Sequence, residues 1–217
     1  MKNILKTGLV TLIGAGSLAT ASIASADVSY NIGFASEYHY RGVFQKNSSA
    51  SAGVDYEEGG FYLGTWTADV GDGLEVDVYG GYGIETEEGF SAAIGFTGYY
   101  YTGEFDDTYE EINLNFGYGI FGLEYSVGEY DNFGGPDLDY DFLAGTLSFE
   151  NGIYATYGTF GDDFDGDYLE LGWGTTVSEI DFGIAVILAS DELSDQLDDD
   201  GDATEGESLV FTIGKTF

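Results

Sequence analysis

Residues 208–217 read SLVFTIGKTF. Counting back from Phe217, alternate positions hold Ile213, Phe211 and Leu209, with Lys215 the one member out of type. Val210, Thr212, Gly214 and Thr216 fall between them. A period of two marks a strand whose faces meet different surroundings. The setting makes this strand unusual: it closes on an aromatic ring, in a chain with 40 acidic and 5 basic residues.

The same period recurs along the chain. Val28, Tyr30, Ile32, Phe34, Tyr38 and Tyr40 fall on one face, against Ser29, Asn31, Gly33, Glu37, His39 and Arg41. In LEVDVYGGYGI (74–84), Leu74, Val76, Val78, Tyr82 and Ile84 oppose Glu75, Asp77, Tyr79, Gly81 and Gly83. Counting such runs predicts twelve strands, at about 28–41, 49–56, 61–69, 74–84, 90–102, 109–119, 121–129, 138–149, 153–160, 168–177, 180–189 and 208–217. Their connections alternate between short turns (EEGG, ETEEG, ENG, SE) and mostly longer polar stretches (GVFQKNSS, GEFDDT, YDNFGGPD, GDDFDGD, DELSDQLDDDGDATEGE).

That layout predicts an all-β fold, a transmembrane antiparallel barrel of about twelve strands with periplasmic turns and external loops. A soluble sandwich would bury each apolar face against a second sheet. Here the apolar face is rich in rings and the other in Gly, Ser, Asn, Thr and carboxylates, as a closed barrel in lipid requires. Twelve strands of about 10 residues use roughly 120 positions and leave room for the long loops. Residues 208–217 then close the barrel. Phe211, Ile213 and Phe217 resemble the C-terminal signal read by the barrel assembly machinery, and outer-membrane lipid is the other expected partner.

Residues 1–26 carry Lys2 and Lys6, a short apolar run and Ala24-Ser25-Ala26, the order of a cleaved secretory signal. The expected organisation is a signal peptide over 1–26 and one barrel over 27–217. Beyond the signal, 40 acids face only Arg41, Lys46 and Lys215, so nucleic acid is excluded as a partner. Acidic chains without rings stay disordered, whereas this one has 18 Tyr, 16 Phe and 2 Trp. There is no Cys, hence no disulfide and no thiolate site. No run of 18 apolar residues follows the signal.

Three blocks carry a family resemblance: SEYHYRGVFQ (36–45), GFYLGTW (60–66) and LEVDVYGGYG (74–83). Over about residues 30–85 the chain resembles the small porin-like Gram-negative proteins of the TorF or Gcw type. It departs from them at Lys46, where Thr or Ser is usual, and in its acidic later loops. The resemblance implies an outer-membrane barrel that passes solutes.

With the apolar face outward, the pore-lining candidates are Glu37, Asp55, Glu75, Asp77, Glu85, Glu111, Glu124, Glu170 and Asp181, joined by His39 and Arg41. A narrow lumen of one sign attracts counter-ions. The expected function is passive diffusion of small solutes with cation preference. The alternative is a non-conducting barrel whose acidic external loops bind divalent cations or a surface partner. Arg41 reads either as a constriction residue or as the cross-strand partner of Glu75 or Asp77. No catalytic role is assigned: His39 faces away from any lipid-side serine, and there is no second His. No cofactor is expected. In QLDDDGDATEGE (196–207), Asp198, Asp200, Asp202 and Glu207 follow part of a calcium-loop pattern, with Gln196 breaking its first position.

Overall fold

The computed structural model describes residues 26–217. The expected signal segment lies outside them but for Ala26. The described residues form twelve strands: β1 (Asp27–Tyr40), β2 (Val43–Glu58), β3 (Phe61–Gly71), β4 (Gly73–Glu85), β5 (Phe90–Tyr101), β6 (Tyr109–Tyr118), β7 (Phe121–Tyr130), β8 (Leu138–Ser148), β9 (Ile153–Asp162), β10 (Asp167–Val177), β11 (Ile180–Ala189) and β12 (Gly206–Thr216). Each pairs antiparallel with its neighbours in sequence, and β12 pairs with β1 to close the barrel. At the seam Phe217 N–H donates to Tyr30 C=O (2.8 Å), and Tyr30 N–H donates back (3.2 Å).

Alternation decides which side chains face out. Val28, Tyr30, Ile32 and Phe34 of β1 are exposed, as are Leu209, Phe211 and Ile213 of β12. A belt of apolar side chains on every strand is far larger than the patches soluble proteins leave bare. Lipid removes that penalty, and closure leaves no free strand edge where the ladder is complete. The belt has chemical borders. At the end with the short turns it finishes in rings, among them Tyr56, Phe61, Tyr82, Phe90, Tyr118 and Phe121, the residues suited to a membrane interface. Toward the loop end, outward positions turn acidic at Glu110, Glu129 and Asp139.

The odd member of the closing strand fits this frame. Lys215 faces outward at the turn end, its ammonium 5.1 Å from the Phe217 ring centroid and 3.2 Å from Glu179. A lysine there lays its stem along the belt and keeps its charge in water. Deeper in the belt the same charge has no such exit. Ile94 pairs with Tyr82 and with Leu114, the latter near the middle of β6. Ile94→Arg is expected to destabilise the folded barrel in vesicles by about 2–4 kcal/mol, measured by denaturant titration.

The largest departure from the sequence reading is the first connection. GVFQKNSS was expected as a long polar loop. Instead β2 begins at Val43, and β1 turns into it through Arg41 and Gly42 alone. Both have positive φ (48° and 82°), as a two-residue hairpin turn matched to strand twist demands. Glycine accepts that conformation at no steric cost, whereas Arg41 has to be held in it.

Candidate functional site in the barrel lumen

The β1–β2 hairpin does not stay in the wall. β1 pairs with β12 only from Asn31↔Thr216 to Ala35↔Thr212, although β1 continues to Tyr40 and β12 runs back to Gly206. At the point of departure Ser36 Oγ, rather than a β1 carbonyl, accepts the Phe211 N–H at 2.9 Å. On the other arm Ser48, across from Ser36, is left-handed (φ 58°), and the β1–β2 register shifts between Tyr38 and His39. From there the hairpin folds into the barrel.

Its contacts span the lumen. Tyr38 is buried against Trp66 of β3, ring centroids 5.8 Å apart, and donates to Glu75 of β4 at 2.7 Å. Tyr40 donates to Tyr99 of β5 at 2.6 Å. At the tip, Arg41 Nη1 and Nη2 grip the two oxygens of Glu111 on β6 at 2.8 and 2.9 Å. Nη2 also reaches Glu124 (2.6 Å) and Ser126 (3.0 Å) on β7. The guanidinium lies over the Phe142 ring of β8 at 4.3 Å and near the Tyr40 ring at 5.0 Å. Gly42 presses on Tyr168 of β10 so closely that an added Cβ would sit 2.6 Å from it. Phe44 N–H donates to Leu193 in the β11–β12 loop at 3.3 Å. Val43 joins an apolar cluster of Phe142, Tyr168, Ile187, Leu193 and Val210.

Tyr38 and Tyr40 were expected on the lipid face and are instead inside. Parity assigns a side only while a strand remains in the wall; once β1 leaves it, both hairpin faces are interior. Arg41 was expected either as a constriction residue or as the partner of Glu75 or Asp77. Its partners are Glu111 and Glu124 across the lumen. Glu111 is fully desolvated at its side chain and accepts further bonds from Tyr99 (2.7 Å), Asn113 (2.7 Å) and Tyr140 (3.0 Å). That saturation is what lets a carboxylate sit buried.

The remaining acids have different surroundings. Asp55 accepts from Tyr79 and from Asn31 (3.2 Å), and Glu170 from Tyr154. Glu37 lies 3.3 Å from His39 Nε2, and the His39 ring packs edge-on to Phe44. Asp181 sits toward the turn end with Thr176, and Glu85 ends β4 exposed, both away from the hairpin. Glu75 and Asp77 lie side by side on β4 beneath Tyr38. Asp77 has no accessible surface; its carboxyl meets the neighbouring Glu75 carboxyl, and among the described residues no N–H or hydroxyl donates to either Asp77 oxygen and the buried His39 Nδ1 has no partner.

The acidic loop does not assemble the expected ligand set. Asp198 Oδ1 accepts the Asp200 and Asp202 N–H groups to close a turn, and Glu207 lies in β12, exposed. Among the described residues no group of three acidic or His side chains is placed to hold a metal.

Residues 19–208 match the Gcw_chp family, described as a bacterial protein of unknown function. The chain belongs to that family. No curated protein matches this Gcw_chp chain. Solved structures share its fold. One, from work on in-meso crystallisation of membrane proteins, aligns at TM-score 0.59 and 8% identity over 88% of this chain and 83% of that chain. The NanC porin in a rhombohedral crystal form aligns at TM-score 0.57 and 11% identity, covering 88% of this chain and 99% of that one. At such identities the likeness is one of fold, a porin-like transmembrane barrel.

The sequence reading missed Tyr38, Tyr40, Tyr99, Tyr140, Phe142 and Ser126 as members of the luminal network. Arg41-Gly42 between two alternating runs is the local signal for a tight hairpin. Nothing local says that the hairpin leaves the wall.

Proposed function

We propose that this Gcw_chp protein is a porin-like channel of the outer membrane, passing small solutes by diffusion with preference for cations, and that its inward hairpin forms the narrow part. The imbalance of charge inside the barrel supports this reading. Arg41 is engaged by Glu111 and Glu124 together, while Asp55, Glu75, Asp77 and Glu170 also project from the inner faces of their strands. A confined, low-dielectric path lined by uncompensated carboxylates concentrates cations and repels anions.

The test is the reversal potential of the refolded protein in a planar bilayer under a salt gradient. Discrete steps reversing toward the cation equilibrium potential are expected. Glu75→Gln with Asp77→Asn should lower that preference; an unchanged reversal potential would remove both residues from the conducting path.

A second reading has its own support. The hairpin touches β3 and β4 on one side and β10 on the other, which favours a barrel closed at that level, with the acidic loops acting as a surface for cations or a partner. A silent bilayer from demonstrably folded protein would select it.

A further inference from the structure

We propose that the β1–β2 hairpin has two seats, the luminal one seen here and one in the barrel wall along the upper edge of β12, and that exchange between them opens and closes the lumen. Three independent observations carry this. The first is the vacant edge. β11 pairs with β12 up to Ala189↔Gly206, but β1 pairs with it only as far as Thr212. Among the described residues, 206–211 therefore belong to a strand with ladder on one side, capped by the Ser36 contact. Leu209 and Phe211 on this stretch are exposed apolar side chains of the belt. An unpaired strand edge beside lipid is unfavourable and recruits a strand.

The second is register. Carried past Ala35↔Thr212 without a shift, the existing pairing sets Ser36 opposite Phe211, Tyr38 opposite Leu209 and Tyr40 opposite Glu207. In that seat Tyr38 and Tyr40 point outward near the loop-end border of the belt, where amphipathic rings are favoured, and Glu37, His39 and Arg41 point inward. The alternation of β1 matches the wall seat through to its tip, although the hairpin here lies in the lumen.

The third is the imperfection of the luminal seat. It is held by Arg41 on Glu111 and Glu124 and by Tyr38 on Glu75, yet among the described residues it leaves Asp77 buried against only the Glu75 carboxyl and His39 Nδ1 buried without a partner. Withdrawing the hairpin uncovers Asp77 and lets water reach it. Each seat satisfies what the other leaves open, which is the condition for a bistable element.

The chain has no cysteine, so engineered pairs report cleanly. Tyr38→Cys with Leu209→Cys spans the wall seat; in the luminal seat these positions face the lumen and the lipid respectively. Phe44→Cys with Leu193→Cys spans the luminal seat. Both double variants, refolded in lipid vesicles and oxidised, are expected to form their disulfide by mass spectrometry. In bilayers the first should then raise conductance at least tenfold over the Tyr38→Cys single variant, the second should abolish it, and reductant should reverse both. Failure of the 38/209 pair to cross-link in folded protein, under conditions where the 44/193 pair does, overturns the wall seat. The conductance arm alone rests on the channel reading. Cross-linking of both pairs in a silent bilayer keeps the two seats and rejects the channel.

Discussion

Arg41→Ala is expected to release the hairpin from the lumen and to convert a mostly closed barrel into a mostly open one. The guanidinium is the tip's anchor: two bonds to Glu111, one each to Glu124 and Ser126, and a face on Phe142. Removing one partner of a buried ion pair costs about 3–5 kcal/mol, because the survivor is left buried without its counter-charge. Tyr99, Tyr140 and Asn113 still donate to Glu111, which places the effect toward the lower end. Even there the seating equilibrium moves by roughly a hundredfold, since each 1.4 kcal/mol is about a factor of ten. The positive φ of residue 41 then also loses the contacts that hold it. Single-channel recordings should show a raised open fraction, and limited proteolysis should find the 41–48 segment newly accessible. Arg41→Lys should fall between the two, because an ammonium cannot reproduce the paired grip on one carboxylate. An Arg41→Ala protein that is folded and as closed as the parent would show that the apolar contacts of Val43 and Gly42 seat the hairpin by themselves.

Asp77→Asn is expected to act in the opposite direction. Asp77 is sealed beneath Tyr38 with the Glu75 carboxyl beside it and no donor on either oxygen among the described residues. Two carboxyls packed together out of water repel whenever both are ionised, and only a shared proton relieves that repulsion. An amide of the same shape carries no charge and can donate to Glu75. The luminal seat is therefore expected to gain on the order of 1–3 kcal/mol, the range for supplying a buried polar group with its partner. The open fraction should fall at least fivefold, and the unfolding midpoint in denaturant should rise. Combined with Arg41→Ala, Asp77→Asn should offset part of the rise in open fraction, because both bear on the same equilibrium. A fall in stability for Asp77→Asn would mean that its carboxylate has a compensating partner when the protein is in lipid.

These opposite signs come from one arrangement. Glu111 and Asp77 are both acids projecting inward from neighbouring parts of the wall, and the sequence lends them equal weight. Only the hairpin distinguishes them, by bringing Arg41 to Glu111 and the Tyr38 ring, with no cation, over Glu75 and Asp77.

The strand alternation by itself determined the barrel. A two-residue period over most of twelve runs, with rings and aliphatics on one parity and carboxylates on the other, fits one kind of object in lipid, although the segments around Phe61–Trp66, Phe142–Phe149 and Ile153–Phe160 are apolar on both faces and their register does not follow from parity. It also foretold that Glu75, Asp77, Glu111, Glu124 and Glu170 face inward, since parity survives wherever a strand stays in the ladder. What only the tertiary structure decided is where β1 ceases to be wall. Tyr38 and Tyr40 carry the parity of lipid-facing residues and lie inside. The balance between pairing with the β12 edge and reaching Glu111 across the lumen is set by groups 70 and more residues apart in the chain. Local periodicity reports which side chains share a face of a strand; which surroundings that face meets depends on contacts between distant segments, and those exist only once the barrel has closed.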